Sequence, residues 1–141
     1  MTTSSLADVP IRSAAELTER WRIGLAPPVF GARSLWLIWL DADGRMLPVV
    51  IPVDDVDRRP DRALVAGLLE LDRGVVEGFL DGTAHLPLAL CRPGGPEVTA
   101  DDAAWASELP VELGAELSGT WSLHLAAGGR VTELVGRPSW N

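Results

Sequence analysis

The sequence predicts an α+β domain: a mixed β-sheet flanked by helices, in the order α-β-β-α-β-α-β-β. Three observations carry that reading. Bulky apolar runs at Leu35–Leu40 and Met46–Val53 have strand length, and the turn Asp41-Ala-Asp-Gly44 joins them as a hairpin. Leu64, Leu68, Leu71, Val75 and Phe79 recur at steps of three or four, the spacing of one helix face. A Gly128-Gly129 turn closes a second hairpin between Thr120–Ala127 and Arg130–Val135. At 141 residues the chain makes one ordinary domain, and 47% apolar against 23% charged residues is a globular balance.

The elements follow in order. Residues 1–12, polar and rich in Ser and Thr at their start, read as a mobile tail; residues 13–136 form the domain and 137–141 a C-terminal tail. Ser13 opens a capping box: its hydroxyl accepts from the amide of Glu16, and the Glu16 carboxylate reaches back to the amide of Ser13. Leu17, Trp21 and Leu25 continue at helical spacing until Gly24 and Pro27-Pro28 end the helix. Ser34–Asp41 is nearly continuous apolar, as in a strand buried on both faces. Pro48 and Pro52 lack ladder donors, which puts Met46–Val53 partly at a sheet edge.

Pro60 suits the first position of the central helix, with Asp61 adding negative charge at its start. Val65, Leu69, Val76 and Leu80 widen its stripe, and Asp81-Gly82 breaks it. Because this long helix links the first hairpin to the third strand, Leu86–Cys91, it allows a parallel neighbour through a right-handed crossover. Arg92-Pro-Gly-Gly-Pro96 is a rigid loop. Thr99 caps a third helix with Asp102 three residues on, and Pro110 is expected to break or kink it.

Composition excludes several classes. One cysteine, Cys91, forbids an intramolecular disulfide or a Cys-rich zinc module. The net charge is −8 and all 12 basic residues are arginine, so the chain lacks the basic face of a nonspecific nucleic-acid binder. No apolar run reaches a membrane span, and residues 1–10 lack the basic start and apolar block of a secretory signal. A cytoplasmic domain without membrane or nucleic-acid partners is the expectation. Arginine in place of lysine, with abundant Ala, Gly and Pro, suggests a GC-rich bacterial genome. No phosphate-binding glycine loop, nucleophile elbow or dinucleotide fingerprint occurs. The acidic groups Asp54-Asp55-Val-Asp57 and Asp101-Asp102 lack the alternating ligands of a calcium loop and read as a solvated connector and a helix start.

The segment Leu88-Ala-Leu-Cys-Arg-Pro-Gly-Gly-Pro96, followed by Val98-Thr-Ala-Asp-Asp102, resembles the core of the RadC branch of the JAB (MPN) metalloprotease-like fold. In that family a strand ends in His-x-His-Pro-x-Gly, and Pro-Ser-x-x-Asp opens the next helix. A later strand carries Asp-His before a tight turn and a final strand. Pro93 and Gly95 match the Pro-x-Gly, Thr99 the Ser, Asp102 the metal-binding Asp and His124 the downstream His; Leu37–Asp41 is similar to the first core strand. The likeness runs through residues 14–135 in element order, with its sequence anchors at 90–102 and 121–135. The family's two metal-binding histidines fall on Leu90 and Arg92, and no acidic residue opens the first strand, where Arg33 and Ser34 stand. Leucine cannot ligate zinc, and arginine is a fixed cation. The resemblance therefore implies a degenerate, metal-free relative, a pseudoenzyme with no cofactor.

On that basis the expected function is a non-catalytic intracellular protein-interaction module, with a protein partner or self-association. Two alternatives stand beside it. One is a hydrolase with a rearranged site around Cys91, Asp102 and His124. The other is a domain binding a small anion through Arg92, with Asp102 and His124 as neighbours. Asp102 has a plainer role at a helix start, and Arg92 has two readings: a solvent-exposed loop arginine, or a bidentate partner of Asp102 that closes the old metal pocket. Cys91 at the end of an apolar strand reads as a small buried hydrophobe, and His85 as a solvated turn residue. Trp36 and Trp39, three apart on a strand, face opposite sides of the sheet. The six tryptophans read as core filling, with Trp140 the best candidate for a partner surface.

Overall fold

Alternation along the strands gives the sheet two different faces. The computed structural model describes residues 9–79, 85–114, 116–117 and 119–138. Its strands are β1 (Ser34–Leu40), β2 (Met46–Asp54), β3 (His85–Cys91), β4 (Thr120–Ala127) and β5 (Arg130–Val135). They form one mixed sheet in the order β2-β1-β3-β4-β5. With helices α1 (Ala14–Gly24), α2 (Arg62–Phe79) and α3 (Ala100–Leu113) the architecture is α+β, in the element order the sequence predicts.

One face of the sheet presents Leu35, Leu37, Trp39, Leu86, Leu88, Leu90 and Leu123 to Val65, Leu68 and Val75 of α2 and Trp105, Leu109 and Leu113 of α3. Each such leucine contributes about 1.5–3 kcal/mol by leaving water. The opposite face packs Ile38, Leu40, Ala89, Cys91, Ala126 and Val131 against Leu17 and Trp21 of α1. Trp39 and Trp36 accordingly lie on opposite faces, the first in the larger core and the second partly buried beside the smaller.

β3 lies beside β1 and antiparallel to it, with Leu35 opposite Leu90. The crossover through α2 therefore returns a strand parallel to β2 but with β1 between the two, rather than the direct parallel neighbour expected. The parallel pair is β3 with β4, joined by α3, with Ala89 opposite His124. β2 is an edge strand, where the missing donors of Pro48 and Pro52 cost the ladder least; Pro87 is the exception, within central β3.

Local details depart from the sequence expectations for identifiable reasons. Ile11 is no part of a loose tail: its amide donates to Gly44 O at 2.7 Å and its side chain is 1% exposed in the smaller core. The Glu16 carboxylate accepts from the amide of Arg12 (2.7 Å), one residue before the expected Ser13, while Ser13 Oγ accepts from the amide of Glu16 as expected. α2 starts at Arg62, because Asp61 Oδ1 accepts from the amide of Leu64 and so caps the helix. Pro110 neither breaks nor ends α3, which continues to Leu113 and closes with the amide of Gly114 on Pro110 O. His85 is buried, not solvated. Leu80, the Asp81-Gly82 break and Trp140 lie outside the described residues.

Candidate functional site

Arg92 follows directly on β3, and its amide donates to Ala126 O of β4. An arginine carries five N–H donors in a fixed fork. Nε–H is shared between Asp102 Oδ1 (2.9 Å) and Oδ2 (3.0 Å). Nη2 donates to Asp102 Oδ2 (2.7 Å) and to Glu97 O (2.8 Å). Nη1 donates to Pro93 O (2.9 Å) and Gly95 O (3.0 Å). Every N–H of Arg92 is thus spent within the chain, and the side chain is only 3% exposed. The 93–97 loop folds around this guanidinium; Gly94, at φ +97°, supplies the left-handed turn that brings its neighbours' carbonyls onto Nη1.

Asp102 is held from a second side. Thr99 and Asp102 form the reciprocal capping box at the start of α3: the Thr99 amide donates to Asp102 Oδ2 (2.8 Å), and the Asp102 amide donates to Thr99 Oγ1 (3.2 Å). Burial alone would push the Asp102 carboxyl up. The Arg92 hydrogen bonds and the Thr99 amide and hydroxyl outweigh it and hold the group below its ordinary value. The same pair raises the Arg92 guanidinium. The result is a fully buried, bidentate ion pair that also serves as a helix cap.

The residues that a rearranged hydrolase would need are not gathered around this pair. Cys91 Sγ approaches Ala89 O at 3.9 Å, and burial pushes the thiol up to about 12, so it stays protonated. His124 Nε2 lies 2.8 Å from Thr18 Oγ1 of α1. The Thr18 hydroxyl donates to Ala14 O, so Nε2 carries the proton, while the buried Nδ1 has no hydrogen-bond partner. Burial pushes this imidazole down to about 4. Among the described residues no hydrogen bond joins Cys91, Asp102 and His124 to one another. His85 sits between Thr120 Oγ1 (2.8 Å) and Ser122 Oγ (2.9 Å) and is pushed down to about 3, chiefly by burial.

Zinc does not fit these residues. Leu90, at one expected ligand position, is buried in the larger core, and the Arg92 guanidinium already occupies both oxygens of Asp102. Among the described residues no group of three or more His, Cys, Asp or Glu is arranged to hold a metal ion. Beside the pair lies a hollow of about 460 Å³, reached by Arg33, Arg58, Thr99 and Asp101. Asp101 stands 3.8 Å from both Arg33 and Arg58, and with Glu97 it supplies the two carboxylates that balance those two cations of the hollow.

Sequence reasoning missed Asp72, a carboxylate buried on the core side of α2. The signal was present: Asp72 follows Leu68 by four residues and precedes Val75 by three, in phase with the apolar stripe. No family model, curated protein or solved structure matches this chain.

Proposed function

We propose that the chain is a non-catalytic protein-interaction module, on a scaffold similar to the RadC/JAB fold in which an internal ion pair stands where that family holds its metal. The observation that carries the reading is the donor count of Arg92: each N–H is bound to Asp102 or to a loop carbonyl, so the pair has a structural role and no group left for chemistry. An anion using Arg92 would have to displace one of those partners, which weighs against the small-anion alternative. The protonated Cys91 and the separated His124 weigh against the hydrolase.

The uncovered part of the sheet supports the interaction role. α1 covers the β3–β5 side of its face and reaches β2 only at Met46, so Pro48, Val50 (49% exposed) and Pro52 stand open beside half-buried Trp36 and Phe30. Adjacent apolar side chains of this kind mark a contact surface, and tryptophan is a frequent anchor in one.

Metal analysis and sedimentation velocity on one untagged sample, purified without chelator, test the proposal. It predicts less than about 0.1 metal per chain, because a working zinc site needs near-full occupancy. It further predicts association that rises with concentration and is abolished by Val50→Glu. About one zinc per chain would overturn the non-catalytic reading. A monomer at every concentration would remove self-association and leave a different protein as the partner.

A further inference from the structure

Asp72 lies on α2 with 6% of its surface exposed, at the floor of a cleft of about 260 Å³. The cleft runs between α2 and the segment after α3, and is lined by Leu69, Asp72, Arg73, Val76, Glu77 and Glu116. The two oxygens of Asp72 differ. Oδ1 accepts from the Trp39 indole at 3.0 Å. Oδ2 has no hydrogen-bond partner among the described residues, and it is not among the atoms sealed from solvent, so it faces the cleft. Burial pushes the Asp72 carboxyl up and the Trp39 bond offsets this only in part, so the ionised form costs the fold stability at neutral pH.

We infer that this cleft is a binding site for an organic cation, an alkylammonium or alkylguanidinium group that places its charge on Asp72 Oδ2. Three carboxylates face one guanidinium there, that of Arg73, so the cleft is electronegative. Leu69 and Val76 form apolar walls suited to an alkyl stem. A metal ion fits poorly: the indole holds one oxygen of Asp72, and hard cations require six or more oxygen ligands at close range. The volume lies just below the roughly 300 Å³ at which drug-sized pockets begin, which suits a group the size of one side chain. Such a cation is either a lysine or arginine side chain of another protein or a free small amine. The inference uses no residue of the Arg92 pair or of the β2 face, and its failure would leave the proposed function standing.

The test is a titration followed on the indole N–H signal of Trp39 by nuclear magnetic resonance, with n-butylammonium, n-butylguanidinium and, as neutral control, n-butanol. Both cations are expected to move that signal saturably and butanol is not. Asp72→Asn keeps an oxygen for the indole and should fold. It should weaken binding roughly tenfold or more, the loss expected when a charged hydrogen bond becomes neutral. Val76→Phe, which fills the cleft and keeps Asp72, should abolish binding, while Arg73→Ala should preserve or tighten it. Capped lysine binding as tightly as butylammonium would identify a protein side chain as the natural occupant; rejection of capped lysine with retention of butylammonium would identify a free amine. No saturable shift with either cation, an equal shift with butanol, or unchanged affinity in Asp72→Asn would overturn the inference.

Discussion

Two buried histidines set how the residues respond to acid. Burial depresses the folded-state values of His85 to about 3 and His124 to about 4, while an unfolded chain titrates them near 6.5. Below about pH 6.5 the unfolded chain binds protons that the folded chain refuses, so stability is full above that value and is lost as pH falls toward 4. The slope approaches about 1.4 kcal/mol per pH unit for each histidine. Denaturant unfolding should therefore show a loss of about 3–4 kcal/mol from the two histidines between about pH 7 and pH 5, lessened by what the raised Asp72 carboxyl recovers as it takes up a proton. Stability unchanged over that interval would show that the imidazoles are open to water or already paired in their charged form. The burial of His85 was not legible in the sequence, where it precedes an apolar strand and reads as a turn residue. Its partners Thr120 and Ser122 come from β4, 35 and 37 residues away, and only the parallel pairing of β3 with β4 brings them close. The Arg92–Asp102 pair was only half legible: a strand end and a capped helix start ten residues apart share a short loop, but nothing local separates a paired arginine from a solvent-exposed one.

At the scale of elements, α3 runs on through Pro110, the residue that the sequence reads as a break or kink. Pro110 has no N–H to donate to Ala106 O, yet Leu109 and Leu113 are fully buried and hold the last turn in place. Packing of those two leucines overrides the local propensity that would have ended the helix. Pro110 is exposed, so Pro110→Ala should restore the missing bond without touching the core. The gain should be about 1–2 kcal/mol after the greater freedom of the unfolded chain is subtracted. Thermal or denaturant unfolding checks this, and a destabilised Pro110→Ala would mean that the proline sets a bend that α3 requires. Hairpins and caps were readable because each depends on a few adjacent residues: Asp41–Gly44 for one turn, Gly128-Gly129 for the other, Thr99 with Asp102 for the cap. The start of α2 slipped because Asp61 competes with Pro60 for the boundary, and a hydrogen bond to Leu64 decides it.

For the whole molecule, the strand order was the least legible feature. Hydrophobicity alone does not say which side of β1 receives β3. The prolines of β2 favour an edge position, but Pro87 lies within central β3, so proline content alone does not decide which side of β1 receives a strand. Once β3 is central, Arg92 at its end becomes a junction. It joins β3 to α3 through Asp102, gathers the 93–97 loop, and that loop in turn lies under the second hairpin. A Cβ on Gly128 would come within 2.6 Å of Pro96 N. On the proposed reading, this junction holds the fold and performs no chemistry. The most direct test is a double-mutant cycle on global unfolding, with Arg92→Met, Asp102→Leu and the pair together. Each single change should cost about 3–5 kcal/mol by leaving a buried charge without its partner, and the double should cost clearly less than the sum, since two apolar side chains leave no charge behind. Single changes costing below about 1 kcal/mol, or effects that simply add, would contradict the claim.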